Sequence, residues 1–174
     1  MQRVRKAVRL ATQQVFGVER MWVAGTLMSR VISPPPGDGL DKAPSHDYSH
    51  IHVDQYNLKQ YHYSALLYLS SMDLDFEGGS FEFIDAGIVG CSPDGDVNTQ
   101  EELNQLSQKL KEDTGDPLCG IPEDNRKMVA PMRGRLLMFS AGKENPHRVN
   151  RARNGARYLF SVWLTTDPIY GYQD

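Results

Sequence analysis

The chain has 174 residues, 40% of them hydrophobic and 24% charged, with a formal net charge of −3. That length and usage suit one globular domain over 1–174 with enough apolar residues to bury a core. No apolar run in this chain approaches the ~20 residues a membrane-spanning helix needs. No basic stripe calls for a nucleic-acid partner; the basic runs Arg3 to Arg9 and Arg148 to Arg157 alternate with apolar residues and read as solvated faces of elements.

Taken in chain order, Val4, Ala7, Val8, Ala11, Val15 and Phe16 recur at helical spacing and predict an amphipathic helix over 4–18 that packs on something larger. Lys6, Arg9 and Gln13 interrupt any signal-peptide core here. The chain thus starts almost directly in a folded segment, which leaves room for a membrane anchor upstream. Placement at a secretory-pathway membrane depends on such an anchor, and otherwise the compartment is open. Residues 21–33, rich in Val, Leu, Met and Thr, read as a strand that Pro34, Pro35, Pro36 and Gly37 stop, and 38–48 as a polar loop. Residues 49–54 alternate as a strand would, with His50, His52 and Asp54 on one face. The apolar run 61–70 fits a strand buried on both faces, Gly78 and Gly79 mark a turn before a strand over 80–84, and 135–140 and 157–165 are further strands.

Between these, 86–131 reads as a polar insertion rather than a second domain, too short and polar to hold its own core. Within it Thr99 caps a helix over 100–111 with Leu103, Leu106 and Leu110 on one side. Cys91 and Cys119 flank its loops; a disulfide in an oxidising compartment and two free thiols in a reducing one fit equally. The class is mainly β (α+β): a β-sandwich or jelly roll with an N-terminal supporting helix and an insertion between core strands.

The chemistry rests on His52, Asp54 and His147. Residues two apart on a strand share a face, so His52 and Asp54 offer an imidazole and a carboxylate to one space. His147, in Asn145-Pro146-His147-Arg148-Val149 just after a strand, completes a two-histidine, one-carboxylate set, which occupies one face of a metal and leaves the other open. Arg157 stands in the next apolar strand, where a guanidinium is costly unless it meets an anion. Each residue alone has an ordinary explanation: a chance pair, a loop cap, a surface histidine, a surface ion pair. Order and context together favour a metal beside an anion-binding arginine. His46 and His50 complicate the choice, since a zinc site drawing on His50 and His52 is a rival. Ligands at i, i+2 and i+4 span about 13 Å along a strand, which casts His50 as pocket wall.

In this order the residues resemble the prolyl 4-hydroxylase-like branch of the Fe(II)- and 2-oxoglutarate-dependent oxygenases. His52-Val53-Asp54 looks like the first ligand pair, Leu66 to Ser70 the strand whose tyrosine contacts 2-oxoglutarate, and Gly78-Gly79-Ser80-Phe81 the Gly-Gly turn. Gly134 to Phe139 precedes the second histidine, and Asn145 to Val149 with Arg157 to Trp163 completes the set. The likeness covers roughly 21–167, and within the branch Pro44 to Asp54 and Glu144 to Val149 are most like a membrane-anchored subgroup. It implies a double-stranded β-helix, Fe(2+) at His52, Asp54 and His147, 2-oxoglutarate held by Arg157 and the Tyr68 hydroxyl, O2 and L-ascorbate as family reagents, and hydroxylation of a protein or peptide side chain with release of succinate and CO2. Arg157 departs from the lysine of the collagen-type enzymes, which weakens a collagen-proline assignment. Two other classes stay in play: a catalytically silent binding domain on the same fold, and a zinc cupin-like enzyme.

Overall fold

Each strand of the chain hides one row of side chains or both, and what each row meets sorts the molecule into layers. The computed structural model describes residues 1–32, 50–92, 94–114 and 121–172, with the backbone alone over 110–114. In chain order the elements are helix α1 (Gln2–Val15), strand β1 (Trp22–Ile32), a one-turn helix α2 (Asp54–Asn57), β2 (Tyr63–Tyr68), β3 (Glu77–Gly78), β4 (Phe81–Ile84), helix α3 (Gln100–Thr114), β5 (Arg126–Val129), β6 (Leu136–Ser140), β7 (His147–Val149), β8 (Ala152–Arg153) and β9 (Ala156–Thr165). A four-stranded sheet runs β1-β9-β2-β6, a three-stranded sheet β5-β4-β7, and β3 with β8 forms a short ribbon, all antiparallel.

The outer face of the larger sheet carries Val23, Ala65, Phe160, Val162 and Leu164, and α1 covers it with Val8. Its inner face presents Leu66, Tyr68, Phe139 and Leu159 to Phe81, Phe83, Val129 and Val149 of the smaller sheet. The period of two along β2 and β9 makes this sorting unavoidable: Ser64, Leu66 and Tyr68 point inward while Ala65 and Leu67 point at α1.

The stretch read as a polar insertion behaves differently from its composition. Val89, Cys91, Leu103 and Ile121 pool with Ile51, Val53 and Ile84 into a third apolar cluster on the far side of the smaller sheet. These residues lie far apart in sequence and share a core with residues outside the stretch, which composition alone cannot register. β5 also lies inside 86–131, yet it pairs with β4 from Phe81–Val129 to Ile84–Arg126. Helix α3 starts as expected: the Thr99 hydroxyl accepts from the Glu102 amide at 3.2 Å, and the Glu102 carboxylate accepts from the Thr99 amide at 3.0 Å, a reciprocal cap.

The segment expected as a strand over 49–54 is a second departure. Its pairing reduces to one bridge at His52, and the chain turns into α2 at Asp54. His50 sits in a bend and is exposed. Cys91 is a buried free thiol; Cys119, His46 and the loop 38–48 lie outside the described residues. Among the described residues no helix is long and apolar enough to cross a membrane.

One charged cluster is buried between strands. Glu82 on β4 faces Arg148 on β7, whose Nε donates to Oε2 at 2.9 Å, and Arg126 on β5 approaches Oε1 at 3.6 Å. Removing the shared carboxylate leaves two poorly solvated cations facing each other. Glu82→Gln is therefore expected to lose about 3 kcal/mol of unfolding free energy in urea titrations. A loss below about 1 kcal/mol, the range of a solvated surface pair, would contradict that burial.

Candidate functional site

Two backbone hydrogen bonds bring the distant histidines together. The His52 amide donates to the His147 carbonyl at 2.8 Å, and the His147 amide donates back at 2.9 Å. Directly opposed residues of an antiparallel pair project to the same side, so the two imidazoles stand next to each other, their ring centroids 4.2 Å apart. β7 places His147 opposite Phe83 on β4, and its ring is enclosed by Phe81 at 4.8 Å, stacked, and Phe139 at 5.0 Å, edge-on.

The ring nitrogens are assigned by their partners. His52 Nδ1 lies 3.0 Å from the His50 carbonyl and His147 Nδ1 lies 2.8 Å from the Asn145 carbonyl. A carbonyl can only accept, so each Nδ1 carries the proton and each Nε2 is the unprotonated ring nitrogen. Burial pushes the His52 imidazole down to about 4 and lowers His147 as well, so both rings are neutral at neutral pH, the form a metal requires.

Asp54 reaches the same space from the start of α2. Its Oδ2 is 3.9 Å from His147 Nε2, and one donor atom from each of His52, Asp54 and His147 lies within 4.8 Å of the others. All three residues are buried. The Ser64 hydroxyl on the inner face of β2 donates to Asp54 Oδ2 at 2.5 Å and fixes the carboxylate. Sequence reasoning passed over Ser64; the signal was there, a small polar residue between apolar ones at an inward position in the run 61–70. His50 stands outside this group, its ring 5.4 Å from that of His52.

Farther along the same inner face lie Tyr68 and Arg157, both buried. The guanidinium carbon is 5.5 Å from the Tyr68 ring centroid. Arg157 Nε and Nη2 and the Tyr68 hydroxyl are buried with no hydrogen-bond partner. Nε and Nη2 are the parallel donors of one guanidinium edge, the geometry that takes a carboxylate bidentately. Burial lowers the Arg157 guanidinium and raises the Tyr68 phenol, which the arginine beside it partly pulls back. The Gly-Gly turn supports this corner: Gly79 has φ +66°, and a Cβ there would sit 3.2 Å from Arg157 Cδ and 2.8 Å from Phe76 Cε2. Only glycine lets the turn pass this close to the arginine stem. Of the other β9 residues, Ser161 is buried and Trp163 stacks on Tyr61 at 5.2 Å.

The family model described as the 2OG-Fe(II) oxygenase superfamily matches residues 42–165. The chain is similar to 2-oxoglutarate and iron-dependent oxygenase domain-containing protein 3 of Rattus norvegicus, 27% identical over 175 aligned positions that take in 98% of this chain and 42% of that protein. It is also similar to prolyl 3-hydroxylase 2 of Gallus gallus, 32% identical over 108 positions, 62% of this chain and 10% of that one. The chain therefore spans about two-fifths of the first relative and a tenth of the second. Among solved structures, an oxidoreductase of the 2OG-Fe(II) oxygenase family from Burkholderia pseudomallei superposes with a TM-score of 0.53, at 15% identity, over 92% of this chain and 50% of that one. That likeness gives the fold, a double-stranded β-helix formed by the two facing sheets.

Buried unpaired donors cost stability, on the order of 1–3 kcal/mol per group. Arg157→Met keeps the aliphatic stem and removes the unpaired head. In the absence of any carboxylate ligand, this variant is expected to unfold about 1 kcal/mol less readily than the parent protein. Destabilisation by that amount or more in the same urea titration would show the guanidinium to be satisfied without a ligand.

Proposed function

The chain belongs to the 2OG-Fe(II) oxygenase superfamily, and from that membership we propose that it is an Fe(II)- and 2-oxoglutarate-dependent dioxygenase acting on a protein or peptide side chain. The observation that carries this reading is the occurrence, in one domain, of a buried His52, Asp54, His147 group and of the unpaired donor edge of Arg157 on the inner face of the larger sheet. Two neutral imidazoles and one carboxylate are the donor set of non-haem Fe(II) oxygenases, and three protein ligands leave coordination positions open. When bound, Fe(II) supplies the centre at which O2 and 2-oxoglutarate are consumed to give succinate, CO2 and a hydroxylated C–H position.

The protein's share is positional. His52 and His147 offer Nε2 because the His50 and Asn145 carbonyls hold the opposite nitrogens. Asp54 offers its carboxylate, which the Ser64 hydroxyl holds through Oδ2. Ser64, which holds Asp54, and Tyr68 lie on one face of β2. A dicarboxylate with one end at the metal and the other on Arg157 suits a site that is polar at both ends and lined by Leu66, Phe139 and Leu159 between them. Arg157 binds the distal carboxylate through Nε and Nη2, and Tyr68 donates its hydroxyl to the same group. The apolar lining excludes water from the reacting centre. A protein or peptide as the hydroxylated partner rests on the likeness to a prolyl 3-hydroxylase over 108 positions.

The test is succinate release from 2-oxoglutarate with added Fe(II), with and without candidate peptides. His52→Ala and Asp54→Ala are each expected to bring it to background. Arg157→Ala is expected to raise the KM for 2-oxoglutarate roughly 10–100-fold, the value of a charge-assisted pair. Full turnover in either ligand variant would sink the assignment of the centre.

A further inference from the structure

The strand segment that carries His52 has two edges. One is taken by His147 of β7. Along the other, the Ile51 carbonyl and the Val53 amide point away from β7, because backbone groups alternate sides along an extended chain. These two groups find their partners in a single side chain. Gln100, the first residue of α3, donates from Nε2 to the Ile51 carbonyl at 2.9 Å and accepts from the Val53 amide through Oε1 at 3.2 Å. Its second Nε2 proton goes to Asn104 Oδ1 at 2.9 Å. The carboxamide reproduces the donor–acceptor pair of a neighbouring strand, so the ligand segment is bonded on both edges although only one edge faces a strand.

The Gln100 carboxamide thus adds to the His52–His147 pair on the opposite edge. Val53 enters α2 without a side-chain cap, and Asp54 is the next residue. A shift at Val53 therefore moves both flanking ligands. α3 begins at the Thr99–Glu102 cap and buries Leu103 in the cluster with Ile51, Val53, Ile84 and Val89.

We propose that Gln100 is a positioning residue for the metal centre: the stretch 86–131 clamps the segment between His52 and Asp54 through one carboxamide and so sets the affinity of the site. This rests on the ligand assignment proposed above. It acts through backbone and touches no ligand atom.

The test uses Co(II) alone as a probe of the whole chain, followed by its ligand-field absorption, together with amide hydrogen exchange at Val53. Gln100→Ala removes the clamp while placing a better helix former at the start of α3, so helix content by circular dichroism is retained. Its Co(II) affinity is expected to fall about tenfold, as for other groups that orient metal ligands. The Val53 amide, protected in the parent protein, is expected to exchange freely, with the His52 and His147 amides still protected. Gln100→Met keeps length and packing, serves if Gln100→Ala fails to fold, and is expected to behave alike. Asn104→Ala removes only the third contact and is expected to bind Co(II) within about twofold of the parent. Unchanged Co(II) affinity in Gln100→Ala, or an unprotected Val53 amide in the parent, overturns the clamp. Failure of the parent itself to bind Co(II) overturns the ligand assignment, and the positioning role with it; Val53 exchange then still reports whether the two hydrogen bonds exist.

Discussion

The centre depends on one reciprocal backbone contact, the pair of hydrogen bonds between His52 and His147. It joins a segment ahead of β2 to a short strand after β6, and it does so at the two residues whose side chains matter. Had the register slipped by one residue, one ring would turn outward, since side chains alternate faces along a strand. The surrounding packing defends this register. Phe81, Phe83 and Phe139 close on the His147 ring, and Ile51 and Val53 are anchored in the cluster formed with α3. Asp54 then ties the same segment to the larger sheet through Ser64 on β2, and the Gln55 amide adds a bond to the Ala141 carbonyl, just past β6, at 3.0 Å. The ligand segment is thus a bridge between the two sheets, and the donor atoms meet where the sheets face each other.

The layers divide the labour. The α1 side packs on the outer face of the larger sheet. The inner layer is apolar between two polar ends, the histidine–aspartate group and the Arg157–Tyr68 corner. The outer cluster under α3 stiffens the back of the ligand segment. The unpartnered groups of Arg157 and Tyr68 sit where a carboxylate would satisfy them, so that corner carries a stability cost that the rest of the fold offsets.

Much of this was legible in the sequence, and the failures have physical causes. α1, β1, β2, β4, β6 and β9 were readable because each is long or apolar enough to display its period. β3, β7 and β8 were not, being two or three residues long with no period to show. The clustering of His52, Asp54 and His147 was readable from order and type, but for a partly wrong geometric reason: Asp54 joins His52 because the chain turns into α2, not because a regular strand carries both. That turn also explains why His50 is left outside. Ser64 and Gln100 show the limit most clearly. A serine and a glutamine carry no motif, and their roles come from tertiary contacts to residues 10 and about 50 positions away.

The central claim is that the metal group and the arginine corner form one cradle for a single dicarboxylate. It is tested most directly by calorimetric titration of 2-oxoglutarate into the metal-free protein and into protein loaded with redox-inert Mn(II). One equivalent is expected to bind in both cases, with affinity at least tenfold higher when the metal is present, because both ends of the ligand are then held. Equal affinity with and without metal would mean that the two ends of the site do not act on the same molecule, and would contradict the account.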